Sequence, residues 1–228
     1  MSRRRSLSVG TLVVLLVAGG VAWAGTQLDL DLDAAPASTT TATATAAPTL
    51  APPVAPAPTV AADYDRDAFG PRWADTDRNG CDQRNDVLAR DLTAVTYKPG
   101  TRDCVVLTGV LEDAYTGLTI EFQRGETTSS DVQIDHVVPL SWAWQHGADA
   151  WGDDTRQSFA NDLTNLQAVD GPTNASKSDQ GPSTWMPPAT AYGCTYAERF
   201  EGVVDAYGLT LDQADRAAID QALTTCSP

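Results

Sequence analysis

Ile134-Asp135-His136-Val137-Val138-Pro139 is followed at a distance by Asn165-Leu166-Gln167-Ala168-Val169 and then by Asn174-Ala175-Ser176-Lys177. Val132 to His136 reads as a short strand that Pro139 ends, and Leu166 to Val169 as a second, apolar strand. Asp170-Gly171-Pro172 has the form of a helix start, with Asp as the cap and Pro near the first position. The predicted unit is a β-hairpin with a long connection, packed on a helix over 172–179. His136 then stands at a strand end, and Asn174 lies on the first turns of the facing helix. Neighbours in a regular strand point to opposite faces, so Asp135 and His136 meet at one ligand only if the strand ends or twists there. Val137-Val138-Pro139 supplies that ending.

Outward from this unit, three stretches are β-rich: Val95 to Tyr97, Cys104 to Leu111 and Leu118 to Phe122. Pro99-Gly100 and Tyr115-Thr116-Gly117 punctuate them. Asp77-Arg78-Asn79-Gly80 is a turn, and Val87, Leu88 and Leu92 mark a short helix over 82–92. Ser141 is placed to cap a helix running through Trp142 and Trp144 to Ala150, and Asp153 or Asp154 to start another through Phe159. In the tail, Tyr196, Phe200, Val203, Val204 and Tyr207 form one helical stripe that Gly208 stops. Thr210-Leu211-Asp212-Gln213 is a capping-box pattern that opens a last helix over 211–225. His146 is expected to be exposed on a helix, and Trp142, Trp144, Trp151 and Trp185 to pack in the core and its rim.

The beginning of the chain is different in kind. Arg3, Arg4 and Arg5 precede an almost unbroken apolar run from Thr11 to Ala24, and Ala22-Trp23-Ala24 offers a signal peptidase small residues. Residues 1–24 are therefore read as a signal peptide. The competing reading is an uncleaved anchor, but the apolar core falls short of the roughly 20 residues that a spanning helix needs. Residues 25–62 are mostly Ala, Pro and Thr, unable to bury enough apolar surface to offset the entropy of ordering, and read as a disordered linker. The ordered domain is placed at 63–228. Export suits the four cysteines, none of them in a Cys-x-x-Cys pair, which read as two disulfides with three connectivities open. Neighbours in sequence suggest Cys81–Cys104 and Cys194–Cys226. The net charge of −15 becomes three units more negative if Arg3, Arg4 and Arg5 leave with the signal. That argues against a nucleic-acid binder working through a broad basic surface, though not against an enzyme that meets phosphate through a cation and a few local charges.

The central residues carry recognisable chemistry. A neutral imidazole accepts a proton near neutral pH. A carboxylate and an amide oxygen suit a hard divalent ion, and a lysine suits a phosphate. Asp135-His136-Val137-Val138-Pro139, Asn165-Leu166 and Asn174-x-x-Lys177 together resemble the HNH nuclease motif. The run from Gln133 to Pro188, with Gly80-Cys81-Asp82-Gln83-Arg84-Asn85-Asp86 upstream and Tyr192-Gly193-Cys194 downstream, more narrowly resembles exported proteins related to the C-terminal domain of GmrSD restriction enzymes. The resemblance implies an α+β fold: a ββα-metal core inside a mixed domain with extra N-terminal strands and a helix, C-terminal helices and two disulfides. It implies His136 as general base and Asn165 as the residue that orients the ring or braces its loop. Asp135 and Asn174 are implied as ligands of one divalent cation, Mg²⁺ first and Mn²⁺ second, because asparagine stands where some members have histidine. Lys177 and Arg84 are the implied substrate contacts.

The function expected is that of an exported, metal-dependent endonuclease acting on nucleic acid, DNA before RNA, with no stable protein partner and with membrane attachment only if the N-terminal segment is retained. The strong acidity and the spacer favour a different class, a catalytically inactive cell-surface binding module. A weaker third reading is hydrolysis of another phosphodiester, such as a wall polymer or a nucleotide.

Overall fold

The computed structural model describes residues 63–226. The expected signal segment (1–24) and Ala/Pro/Thr-rich linker (25–62) lie outside the described residues. Among those described, helices and strands are mixed in an α+β arrangement.

Helix α1 (Gln83–Asp91) starts where Asp82 accepts a hydrogen bond from the Asn85 amide. It runs directly into β1 (Leu92–Tyr97), which pairs antiparallel with β2 (Val106–Glu112). β2 pairs antiparallel in turn with β3 (Thr119–Gln123). A separate two-stranded antiparallel sheet joins β4 (Val132–His136) to β5 (Leu166–Asp170), in a register that sets Asp135 opposite Gln167 and His136 opposite Leu166. Helix α4 (Gly171–Lys177) follows β5 at once, capped as expected by Asp170, whose carboxylate accepts from the Thr173 amide at 2.8 Å. The connection between the two strands holds α2 (Leu140–Gln145) and α3 (Asp153–Ala160), and α5 (Gly193–Tyr207) and α6 (Gln213–Leu223) close the chain.

Alternation along the hairpin decides the packing. Val132, Ile134, Leu166 and Ala168 face α1 and the three-stranded sheet, in a cluster with Val87, Leu88, Val106, Leu111 and Phe122. Full burial of each Val, Ile, Leu or Phe side chain in it is worth about 1.5–3 kcal/mol. Val169 faces the other way, into a larger cluster with Tyr115, Val137, Val138, Trp142, Phe159, Tyr196 and Phe200. The hairpin is thus a partition between two apolar layers. The end of α1 pins it: Arg90 donates to the Leu163 and Leu166 carbonyls, each at 2.6 Å, and Asp91 accepts from the Ala168 amide at 2.8 Å.

Two helix readings are corrected. The helix expected from Ser141 to Ala150 starts earlier, with Pro139 at the cap position, and stops at Gln145. Gly147, at φ 124°, breaks it, and only a 3-10 turn follows over Ala148–Ala150. Ser141 bonds to Asp179 at 3.2 Å instead of capping. The last helix begins after Asp212, whose carboxylate accepts from the Asp215 amide at 2.8 Å, so Asp212 and not Thr210 is the cap. His146 is half-buried, stacked on Trp142 with ring centroids 3.6 Å apart. The disulfides are Cys81–Cys104 and Cys194–Cys226, the second tying the start of α5 to the end of α6. Among the described residues, no helix is long and apolar enough to cross a membrane.

Candidate active site

His136 ends β4 and lines a cleft of about 470 Å³, together with Asp135, Asn174, Ser141 and Asp179. The Ala160 carbonyl, at the end of α3, lies 2.8 Å from His136 Nε2. A carbonyl can only accept, so Nε2 carries the proton and Nδ1 keeps its lone pair. Loss of water around the ring pushes its pKa down to about 4; the Ala160 bond and the Asp135 charge oppose that fall, while Lys177 and Arg66 reinforce it. At neutral pH the imidazole is uncharged. Asn165 is fully buried. Its Oδ1 accepts from the Val138 amide at 2.8 Å, its Nδ2 donates to the Val138 carbonyl, and its own carbonyl accepts from the Val137 amide. Of the two roles expected for Asn165, these contacts are those of a brace on the loop after His136; the ring itself is oriented by Ala160.

The opposite face of β4 meets α4. Gln133 and Asp135 are two apart on the strand, and Asn174 and Lys177 are three apart on the helix, so the pairs align turn by turn. Asn174 Nδ2 donates to Gln133 Oε1 at 2.9 Å. Lys177 is fully buried; its Nζ lies 2.8 Å from Asp135 Oδ2 and donates to the His136 carbonyl at 2.8 Å. The Tyr115 hydroxyl donates to the same Asp135 oxygen at 2.6 Å. Burial first, and then the Asp135 charge, holds the Tyr115 phenol well above its ordinary pKa. Burial draws Lys177 below its ordinary value, against the pull of Asp135. Lys177 is therefore not disposed as the phosphate contact expected of it; it is the counter-charge of Asp135. Arg84 also lies apart from the cleft lining and donates to the Ser129 and Val132 carbonyls, each at 3.4 Å, at the entry to β4.

The donor chemistry at Asp135 and Asn174 fits a hard cation. Both line the cleft, both offer oxygen, and a carboxylate has about four lone-pair sites, of which Tyr115 and Lys177 occupy three. The adjoining ammonium lowers the site's attraction for a cation. Elsewhere, His146, Asp212 and Asp215 bring three ligand atoms within 4.8 Å of one another, as do Cys194, Glu198 and Cys226, whose two cysteines are consumed by their disulfide.

Four cleft residues lay outside the sequence reading. Tyr64, Arg66, Arg72 and Trp73 come from the irregular segment before α1. Trp73 adopts a left-handed φ of 56° and stacks on His136, with 6.4 Å between centroids and 12° between planes. A non-glycine residue in that region marks local strain. Neither Arg66 nor Arg72 has a carboxylate within ion-pair distance among the described residues. Only unusual composition or a motif could have flagged this segment, and it has neither. A larger cavity, of about 810 Å³ and lined by Arg90, Tyr192 and Arg199, contains none of the expected site residues.

An α+β domain with a histidine-bearing hairpin set on a short helix is the class these features define. Residues 82–219 match the C-terminal domain of GmrSD restriction endonucleases, and the chain belongs to that family. An uncharacterized secreted protein of Arthroderma benhamiae is 42% identical over 165 residues, covering 72% of this chain and 76% of its own. No solved structure matches. Membership suggests nuclease activity and, with it, a nucleic-acid substrate and a divalent metal ion.

Proposed function

We propose that the protein is an exported, metal-dependent endonuclease of HNH type that hydrolyses nucleic-acid phosphodiester bonds, DNA in preference to RNA. The observation that carries this reading is the carbonyl-anchored His136, neutral at pH 7, in a cleft lined also by Asp135 and Asn174. His136 Nδ1 takes a proton from the attacking water, while the Nε2–H donates to the Ala160 carbonyl and so keeps the tautomer fixed. Asn165 holds the loop that carries the ring. Asp135 and Asn174 are the residues that would hold one cation, Mg²⁺ or Mn²⁺; when bound, it neutralises charge at the phosphate. Arg66 and Arg72, without a carboxylate at ion-pair distance among the described residues, replace Lys177 and Arg84 as the phosphate contacts. The mature protein comprises the 63–228 domain on its Ala/Pro/Thr linker, after removal of residues 1–24.

The alternative is an inactive surface module. It draws on the formal charge of −15 and on an Asp135 carboxylate already neutralised by Lys177. Purified protein incubated with plasmid DNA, with RNA and with a simple phosphodiester ester, in Mg²⁺, in Mn²⁺ and in EDTA, separates the readings. The expected result is internal cleavage of DNA that either ion supports and EDTA stops. An intact fold that cuts none of the three in either ion establishes the surface module. Cleavage of the simple ester alone establishes a different phosphodiesterase.

A further inference from the structure

The segment 75–86 is not used by the cleft chemistry, and its residues fall in a specific register. Asp75, Asp77 and Asn79 stand at the first, third and fifth positions, Gly80 at the sixth and Asp86 at the twelfth. That is the spacing of the EF-hand calcium loop, which supplies oxygen ligands at the first, third, fifth, seventh, ninth and twelfth positions and turns sharply at a sixth-position glycine. Gly80 has φ 94°, in the region that favours glycine. The Asp75 carboxylate accepts from the Asn79 amide at 3.1 Å and the Gly80 amide at 3.0 Å, folding the loop back on its first residue. Asn79 reaches across to Asp86 Oδ1 at 3.2 Å, so the fifth and twelfth positions already touch. The chain enters α1 at Gln83, much as the calcium loop enters its exiting helix.

An independent observation points to a ligand. Among the described residues, two buried side-chain polar atoms lack a hydrogen-bond partner: Gln83 Oε1 and Asp86 Oδ2. They fall at the ninth and twelfth positions of this loop. Gln83 is 2% exposed, and its amide nitrogen donates to Thr76 in the same loop at 2.6 Å, which sets the carboxamide against it. Unpaired buried acceptors are costly and rare in native structures, and both are oxygens of the kind a hard cation takes.

We propose that Asp75–Asp86 is a calcium-binding loop, with Asp75, Asp77, Asn79, the Cys81 carbonyl, Gln83 and Asp86 as its oxygen donors. Calcium is favoured over magnesium because the donors are many, all oxygen, and spread along a twelve-residue loop. The carboxylates of Asp75, Asp77 and Asp86 do not all lie within 4.8 Å of one another, so binding one ion requires them to close up. Aspartate at the twelfth position is one methylene shorter than the usual bidentate glutamate, which makes this a weak site of the extracellular kind. The loop ends at α1 and is stapled by Cys81–Cys104, so the ion braces the helix on which the β4–β5 hairpin rests.

The test is a calcium titration of the isotope-labelled full-length protein, followed by amide NMR. Saturable shifts centred on Gly80 are expected, with a midpoint of roughly 0.1–1 mM. Asp75→Asn is expected to raise that midpoint at least tenfold, and Asp86→Glu, which restores a bidentate ligand, to lower it. Absence of saturable shifts up to about 10 mM, ten times the upper end of that range, overturns the proposal. So does a midpoint equal in wild type and Asp75→Asn. Should Asp75→Asn fail to fold, an unchanged midpoint in Asp86→Glu overturns it alone. The readout is independent of cleavage, so loss of the nuclease reading leaves it standing.

Discussion

Lys177→Ala is expected to destabilise the fold by about 3–5 kcal/mol, because it leaves the Asp135 carboxylate buried without its positive partner. The ammonium also donates to the His136 carbonyl, so the loss reaches the end of β4. Denaturant unfolding measures it. Lys177→Met keeps the volume and is expected to cost nearly as much, which assigns the effect to charge and not to packing. Adding Asp135→Asn to Lys177→Met is expected to recover much of the loss, since removing both charges of a buried pair costs far less than removing one. A single-substitution cost below about 1 kcal/mol, the range of exposed ion pairs, would show that the pair is solvated.

His136→Ala is expected to lower single-turnover cleavage by about 10²–10⁴-fold, the usual contribution of a positioned general base. Stability should change much less than in the Lys177 variants, because the ring is uncharged and its loss leaves no buried charge unpaired. His136→Asn tests the same point while keeping a polar side chain for Ala160. Cleavage at the wild-type rate in either variant removes His136 as the base, and the other histidine does not replace it, since it is stacked on Trp142 and its Nδ1 lies 2.6 Å from the Trp142 carbonyl.

The hairpin and its helix were legible in the sequence because their signals are local. Alternation over Val132–His136, the apolar run of β5 and the Asp170 cap all lie within a few residues of what they govern. The role of Lys177 was not legible. A lysine in the last turn of a short helix reads as solvated or phosphate-facing, and only the packing of α4 along β4 sets it against a carboxylate 42 residues earlier. The same holds for Arg66, Arg72 and Trp73, which reach the cleft from a stretch with neither helical nor strand period. The helix after Pro139 was misjudged in length because the apolar tryptophan spacing outweighed Gly147, where a left-handed backbone ends it. The helix expected over 82–92 is present as Gln83–Asp91, and the turn expected at Asp77–Gly80 is a chain of bends. The spacing of the carboxylates over 75–86 is visible in the sequence, but the two orphaned oxygens that point to a ligand depend on packing.

The proposed base is an imidazole that is neutral and fixed by Ala160, and the acid limb of the pH–rate profile tests that most directly. A base works only while unprotonated. With its pKa pushed down to about 4, His136 keeps its lone pair throughout the range from pH 8 to pH 5. Cleavage of plasmid DNA at saturating metal is therefore predicted to hold nearly level to about pH 5 and to fall tenfold per unit only below about pH 4. A tenfold-per-unit decline that sets in near pH 6.5, the ordinary imidazole value, would contradict the anchored, desolvated ring and the mechanism built on it.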